Sequence, residues 1–335
     1  MVNIYKKTDL GLERMDVLSP GTWVHLVDPQ RAEVEHILSV IDAPEDFVIA
    51  ALDEDERART DREDDVTLII LRVPYFFGHD EDLPYGTVPL GIILTPGYLV
   101  TVCKYHTGIA EDLSGYRIKG LSTAKHVRLI LHILLVTAQK YLNYLRHIDA
   151  AIATVEGRLQ RSLRNEEVLQ LLRYQNCLVY FTTGLKSNQL VMQRLQRSRL
   201  FSRFEEDEEL LEDVLIENSQ ALEMTQISEN ILGQDMDAYA SIISNNLNVV
   251  MKFLAAVTIV LTVPMILSSL YGMNVALPGE GTYTAFVIIV VLSIALAVGV
   301  AWWFRRQGWL SYDWKRGVSR DRYRNGNPGH DDSDT

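Results

Sequence analysis

Two long uncharged segments near the C-terminus constrain this chain more than any other feature of its sequence. Residues 253–270 and residues 283–304 contain no charged side chain over 18 and 22 positions. As helices they would extend about 27 and 33 Å, and the hydrocarbon core of a bilayer is about 30 Å thick. Each could instead be the buried helix of a soluble protein, but two such segments in tandem favour a pair of transmembrane helices.

Basic residues flank these two segments on one side only. Lys252 precedes the first segment, Arg305 and Arg306 follow the second, and the linker at 271–282 contains neither Lys nor Arg. Because positive residues concentrate in cytoplasmic loops, we expect both termini to be cytoplasmic. The seven Lys and Arg residues between positions 305 and 324 suit an anionic inner leaflet, so contact with membrane lipid is also expected.

The rest of the chain is acidic. The formal net charge is −12, and only eight Lys/Arg and six Asp/Glu lie after residue 250, so residues 1–250 carry 24 basic and 38 acidic side chains. Such a body repels nucleic acid and attracts cations, which makes nucleic acid an unlikely partner. Two distant cysteines, Cys103 and Cys177, offer neither a disulfide framework nor a zinc site.

Residues 1–120 alternate between strand and helix patterns, which predicts a cytosolic α/β domain. A helix is expected at residues 31–41. Strands are expected at residues 22–28, 66–77, 86–94 and 98–103. The mixed-charge segment at 53–65 is interpreted as a solvated surface loop.

The middle of the chain predicts three long helices. No proline occurs between residues 97 and 263, and breaks are expected near 162–165 and 198–204. The third helix starts near Glu205 and meets no stop signal before the first membrane segment. We therefore predict an α+β membrane protein: a cytosolic α/β domain and a long helical stalk that is continuous with the first of two C-terminal transmembrane helices.

A seam of small and polar residues follows the membrane end of that helix. Its members alternate at spacings of four and three: Ser244, Asn248, Met251, Ala255, Thr258, Thr262, Met265 and Ser269. Close helix packing in lipid also uses small residues, but dry packing does not require the seam to continue into the soluble helix, as it does at Asn248 and Ser244. A water-filled axis would require that continuation. Because each chain crosses the membrane only twice, several copies would be needed to surround such an axis. The seam thus predicts the pore lining of an oligomeric channel.

The sequence Tyr271-Gly272-Met273-Asn274 ends the first membrane segment. A ring of Asn274 amides could accept hydrogen bonds from the water shell of a cation, and Gly272 permits a tight turn at the helix end. A routine helix cap with an interfacial tyrosine explains the same residues by spacing alone. Both interpretations stay open at this point.

The tetrapeptide "YGMN", placed before the second of two C-terminal membrane segments, resembles the CorA family of divalent-cation channels. The segment "SNNLNVVMKFLAAVTIVLTVPM" is similar to the pore helix of that family, whose hydrophobic gate would then lie at Met251 and Leu254. The resemblance implies a homopentamer in a bacterial or archaeal inner membrane that passes Mg²⁺, and often Co²⁺ or Ni²⁺. It assigns Tyr271, Gly272, Met273 and Asn274 to the selectivity filter.

This plan divides the chain into six expected segments. They are the α/β domain at 1–120, the stalk at 121–250, the pore-lining helix at 251–272, the outer loop at 273–282, the second membrane helix at 283–304 and the basic tail at 305–335.

Acidic residues open the long helix, where they also stabilise a helix N-terminus. Glu209, Asp213 and Glu217 follow one another at spacings of four on one face. Such carboxylates at a subunit interface would repel one another unless a cation lay between them. Asp213 matches the inter-subunit regulatory aspartate of the CorA family by its distance of 38 residues from Met251, which implies gating by bound intracellular Mg²⁺.

Other function classes find less support. The sequence contains no phosphate-binding glycine loop, no G-x-S-x-G and no paired histidine spacing, so we expect neither an enzyme nor an organic cofactor. One alternative keeps the architecture and changes the cargo to Zn²⁺, with proton coupling, as in the related ZntB branch. That branch has isoleucine at the position of Met273, which favours Mg²⁺ here. A second alternative is a membrane-anchored sensor or scaffold that transports nothing.

Overall fold

The computed structural model describes residues 1–8, 11–115, 120–159, 165–198, 204–273 and 282–310. These belong to two compact units, Met1–Asp237 and Ala238–Thr335. The strands defined among them are β1 (Val2–Thr8), β2 (Gly11–Met15), β3 (Trp23–Val27), β4 (Arg59–Glu63), β5 (Val66–Phe76), β6 (Tyr85–Leu94) and β7 (Leu99–Cys103). The helices are α1 (Arg31–Ile41), α2 (Glu45–Leu52), α3 (Ile109–Gly115), α4 (His126–Leu159), α5 (Asn165–Arg197), α6 (Glu205–Tyr271) and α7 (Tyr283–Arg306).

The strands form one mixed sheet in the first unit, in the order β2-β1-β3-β7-β6-β5-β4. β3 and β7 pair in parallel, and the other neighbours are antiparallel. The four strands and the helix predicted from the sequence correspond to β3, β5, β6, β7 and α1. The prediction of an N-terminal α/β domain is confirmed.

Both faces of the sheet are covered, because its central strands are apolar on both sides. On β5, Leu68 and Ile70 pack into the core with α1 and α2. The alternate residues Ile69, Leu71 and Val73 pack into a second core with α3, α4, α5 and the first turns of α6. The first turns of α6 therefore pack on this face of the sheet, as part of the first unit.

The segment at 53–65, predicted to be a surface loop, contains β4, and that part of the prediction is wrong. β4 is an edge strand that pairs only with β5, and its charged side chains are exposed or half-buried. All five residues of β4 are polar or charged, although the strand contacts α5, so it has no apolar alternation by which the sequence could reveal it. Charged residues at such an edge also discourage pairing with other chains. Helix α2 was likewise not predicted.

Beyond the end of β4, side chains from α4 and α5 form hydrogen bonds with the backbone at the edge of β5. The Arg72 backbone N–H donates to Asn188 Oδ1 at 2.8 Å, and the Arg72 carbonyl accepts from Asn188 Nδ2 at 2.7 Å and from the Tyr141 hydroxyl at 2.9 Å. The fully buried Tyr141 hydroxyl has its pKa raised by desolvation and stays neutral. These contacts tie the two long helices to the sheet.

The helices α4, α5 and α6 are the three long helices that the sequence predicts. α4 is described as far as Leu159 and α5 from Asn165 to Arg197, and α6 begins at Glu205. The predicted breaks at 162–165 and 198–204 lie at these bounds, for the most part outside the described residues. α6 runs for 67 residues without interruption, although Pro264 lies inside it. Its residues up to Asp237 belong to the first unit and the rest to the second. The long helix and the two apolar C-terminal helices confirm the predicted fold class, apart from its oligomeric part.

Candidate functional site

Two of the described helices, α6 and α7, are long and apolar enough to cross a membrane. In the most apolar 18-residue window of each, only 6 % of the residues are buried. The core helix of a soluble protein would bury most of such a window. This exposure of apolar residues to the surroundings is what a bilayer requires of a spanning helix.

All eight members of the predicted seam lie on the exposed surface of α6. The two methionines, Met251 and Met265, are 62 % and 70 % exposed. The buried and half-buried residues between positions 244 and 269 of α6 form a different set: Asn246, Phe253, Ala256, Val257, Val260, Val263, Pro264 and Leu267. At about 100° per residue, that set lies on the opposite side of the helix from the seam. None of the described residues of the protomer therefore covers the seam.

Two threonine hydroxyls in the seam have fixed orientations. Thr258 Oγ1 donates to the Leu254 carbonyl at 2.9 Å, and Thr262 Oγ1 donates to the Thr258 carbonyl at 2.7 Å. Each hydroxyl proton is thereby used inside the helix, which leaves the oxygen lone pairs as acceptors on the exposed surface. An acceptor surface suits the outward-pointing hydrogens of a cation's water shell.

The residues assigned to the gate and the filter are exposed where they are described. Leu254 is 56 % exposed, Tyr271 36 % and Met273 56 %. α6 ends at Tyr271, and the Gly272 N–H donates to the Ser268 carbonyl at 3.0 Å. A Cβ on Gly272 would lie 3.2 Å from that carbonyl oxygen, so close backbone approach, and not a left-handed turn, is what favours glycine here. Asn274 lies outside the described residues.

The acidic residues at the start of α6 divide into two groups. Arg128 of α4 holds the first group, with Nε 2.7 Å from Asp207 and Nη2 2.6 Å from Glu206. These hydrogen bonds raise the pKa of Arg128 and lower that of Glu206. The second group is the predicted regulatory set, in which Glu209 and Asp213 are exposed and Glu217 is half-buried.

The predicted regulatory set does not form a metal site within one chain. No group of three or more His, Cys, Asp or Glu side chains that could hold a metal ion occurs among the described residues. None of Glu209, Asp213 and Glu217 forms a salt bridge with another described side chain. Their carboxylates are therefore available to groups outside the protomer.

The clamp formed by Arg128 was missed by the sequence analysis. It joins residues that are 78 and 79 positions apart in the chain, so no local spacing predicts it. One signal was present in the sequence, because Arg128 is a charged residue among the apolar residues that open α4. In the structure it is only 9 % exposed. A buried charge at such a position requires a charged partner.

Comparisons with known proteins agree with this arrangement. A family model described as "CorA-like Mg2+ transporter protein" matches residues 20–306. The cobalt/magnesium transport protein CorA of Methanocaldococcus jannaschii is 27 % identical over 298 residues, which cover 86 % of this chain and 91 % of that protein.

Solved structures give the same result. The complete structure of the CorA magnesium transporter from M. jannaschii matches with a TM-score of 0.79 and 25 % identity, covering 92 % of this chain and 98 % of that one. The full-length CmaX protein matches with a TM-score of 0.66 over 91 % of this chain and 96 % of its own; at 18 % identity this likeness concerns the fold alone.

Proposed function

The chain belongs to the family of CorA-like Mg²⁺ transporter proteins, and from this premise we propose that it conducts hydrated Mg²⁺ through a pore formed by several copies of α6. Membership of a family of divalent-cation transporters also confirms the prediction that the chain is not an enzyme. The exposed seam on α6 is the observation that carries the proposal. A protomer that leaves a continuous polar seam uncovered in a membrane helix needs copies of itself to enclose that seam.

The chemistry of the seam favours a hydrated ion. Mg²⁺ loses its water reluctantly and usually keeps several waters when it binds. The seam has hydroxyl and amide oxygens, methionine sulfurs and no charge, and two of its hydroxyls, on Thr258 and Thr262, present acceptor lone pairs. Such a lining can accept hydrogen bonds from the ion's water shell without replacing it. The membership and the lining together support Mg²⁺, with Co²⁺ and Ni²⁺ as further cargo.

We propose that Tyr271, Gly272, Met273 and Asn274 form the entrance filter, with Asn274 as the residue that accepts from the water shell. The gate is proposed at Met251 and Leu254, whose large apolar side chains are exposed on and beside the seam. A ring of such side chains can close a pore by excluding water.

Regulation is proposed at Asp213, together with Glu209 and Glu217. Bound Mg²⁺ between the carboxylates of neighbouring protomers would hold the long helices together, and its loss would release them. The exposure of Glu209 and Asp213, and their lack of cationic partners among the described residues, support this proposal. In this scheme Mg²⁺ is both the cargo and the regulator.

The assembly is proposed to be a homopentamer in a bacterial or archaeal inner membrane, with both termini in the cytoplasm. The positions of Lys252, Arg305 and Arg306 support this orientation. The six segment boundaries given by the sequence serve as the proposed domain plan, in which 251–272 lines the pore and 283–304 faces lipid.

The test is Mg²⁺ influx into proteoliposomes that contain a magnesium-sensitive dye and hold a negative-inside potential. We expect flux in the wild type and loss of flux or of ion selection in Asn274→Ala. Asn245→Ala is the matched control, because Asn245 is an exposed amide of α6 outside the seam, and it should conduct as the wild type does.

Two other outcomes would reject the proposal. Zn²⁺ uptake driven by a proton gradient, without Mg²⁺ flux, would assign the chain to the zinc alternative. Absence of any flux from folded, inserted protein would favour the sensor or scaffold alternative.

A further inference from the structure

A cavity of about 960 Å³ opens in the first unit. Residues of β4 and β5, the end of β6, the start of α4, the end of α5 and the start of α6 line it. Nothing in the transport proposal uses this cavity. Its side chains nevertheless have a distinct chemistry, which sets it apart from the acidic surface of residues 1–250.

Two cationic side chains in the cavity form no salt bridge with the described residues. Lys125 and Arg194 line it, both are exposed, and neither forms a salt bridge with any of the described residues. The carboxylates that line it each have a cation within reach: Asp61 with Arg59 at 2.7 Å, Asp65 with Arg62 at 3.8 Å, and Asp207 with Arg128 at 2.7 Å. The Glu206 carboxylate lies within electrostatic reach of Lys125, so Arg194 is the cavity cation that no described carboxylate is shown to balance. In a chain with a net charge of −12, such a cation beside Lys125 indicates a site for an anion.

A buried arginine, Arg128, is also part of the cavity lining. It is 9 % exposed, and its Nε and Nη2 are held by Asp207 and Glu206. Its third nitrogen, Nη1, makes no hydrogen bond with any group in the part of the chain that the structure describes. Because the two carboxylates fix the guanidinium plane, Nη1 is oriented before any ligand arrives, which lowers the entropic cost of binding.

Part of the remaining cavity wall is apolar. Leu94, Pro96, Val127, Leu195 and Phe204 contribute to it. A free phosphate ion needs only a small part of the available volume and gains nothing from an apolar wall. A ligand with a phosphate at one end and a flat, weakly polar ring at the other fits both parts, and pockets of this size commonly hold such molecules.

We propose that this cavity binds a phosphate-bearing small molecule of the nucleotide class. Lys125, Arg194 and Nη1 of Arg128 hold the phosphate, and the apolar wall contacts the base. The site is independent of the proposed function, because none of its residues belongs to the seam, the filter or the regulatory set.

The experiment is isothermal titration calorimetry of the full chain, purified in detergent, at low ionic strength with EDTA and without Mg²⁺. The probes are ATP, AMP, orthophosphate and adenosine. We expect AMP and ATP to bind, and adenosine, which has no phosphate, to bind weakly or not at all. In Arg194→Gln the affinity for AMP should fall about tenfold, the amount expected for one charge-assisted hydrogen bond.

Arg197→Gln is the matched control, since Arg197 is an exposed arginine in the same last turn of α5 and does not line the cavity. Its affinity should equal that of the wild type, and circular dichroism should show all variants folded. The proposal is overturned if no probe binds at millimolar concentration, if Arg194→Gln and Arg197→Gln behave alike, or if adenosine binds as tightly as AMP. Binding of orthophosphate alone would overturn the assignment to nucleotides.

Discussion

The two parts of α6 use opposite surface chemistry within one continuous helix. Up to Asp237, the apolar residues Leu211 and Val214 are buried, and carboxylates such as Asp213 are exposed. Beyond it, large apolar residues such as Leu261 are exposed, and a seam of small and polar residues follows one side. The first part has the pattern of a helix in water. The second has the pattern of a helix in lipid that reserves one side for polar contact.

This difference shows that the side chains of each part of α6 suit that part either to water or to lipid. Apart from Pro264, which has no N–H to donate, both parts are regular α-helix, so the side chains determine which part suits water and which suits a bilayer. It also identifies the seam as the exceptional feature, because lipid offers its polar groups no partners.

The largest effect is expected from a charge inside the first part. Val214→Asp places a carboxylate where the native side chain is fully buried, and burial of an unpaired charge should lower the free energy of unfolding by about 4 kcal/mol or more. Ile216→Asp, at a position that is 57 % exposed, should change it by less than about 0.5 kcal/mol. Urea unfolding of the purified protein measures both. Equal effects would mean that this part of α6 does not pack as described.

The Arg128 clamp should give the next largest effect. Arg128→Gln leaves the buried Asp207 without its cation, and breaking such a pair should cost about 3 kcal/mol. Arg173→Gln is the control, since it removes an exposed ion pair with Asp82 and should cost less than about 1 kcal/mol. The same unfolding experiment compares them, and a small effect of Arg128→Gln would show that the first turn of α6 does not depend on α4.

A comparable effect is expected from pH, through His25. Burial lowers the pKa of this histidine from 6.5 to about 4, so the unfolded chain takes up the proton at a higher pH than the folded chain does. The contribution to stability is therefore complete above pH 6.5 and is lost as the pH falls toward 4, by about 3 kcal/mol in total.

His25→Asn removes this titration and retains a group that can bond to Thr101, the partner of His25 Nδ1 at 2.8 Å. Its unfolding free energy should therefore fall less steeply than that of the wild type between pH 6.5 and 4. Parallel pH profiles would exclude His25 as the source.

The smallest effect concerns the seam. Thr258→Val keeps the shape of the side chain and removes its acceptor oxygen, which should raise the barrier to a hydrated ion by about 1 kcal/mol and lower Mg²⁺ flux about fivefold. Leu261→Val lies on the same helix outside the seam and should leave flux unchanged. Stopped-flow influx into proteoliposomes at matched protein content makes the comparison, and equal flux in the two variants would contradict a role for the hydroxyl.

The sequence predicted most of what depends on local pattern. The two apolar C-terminal segments and the three long helices follow from residue spacing and charge, and α6 continues without interruption past Pro264. β4 escaped prediction because an exposed edge strand such as Arg59–Glu63 has no apolar face. The Arg128 clamp and the contact of Asn188 with the edge of β5 escaped because they join positions 79 and 116 residues apart. Such pairs depend on the tertiary fold.

The central claim, that water reaches the seam, is tested most directly by cysteine modification. The native thiols provide little background, because burial raises the pKa of Cys103 to about 12 and that of Cys177 to about 11. Thr262→Cys and Leu261→Cys are treated in proteoliposomes with a cationic, membrane-impermeant thiol reagent while Mg²⁺ influx is recorded. We predict that the reagent modifies Thr262→Cys and blocks its flux, while Leu261→Cys is not modified and conducts normally. Equal labelling of the two, or labelling of Thr262→Cys without loss of flux, would contradict the account.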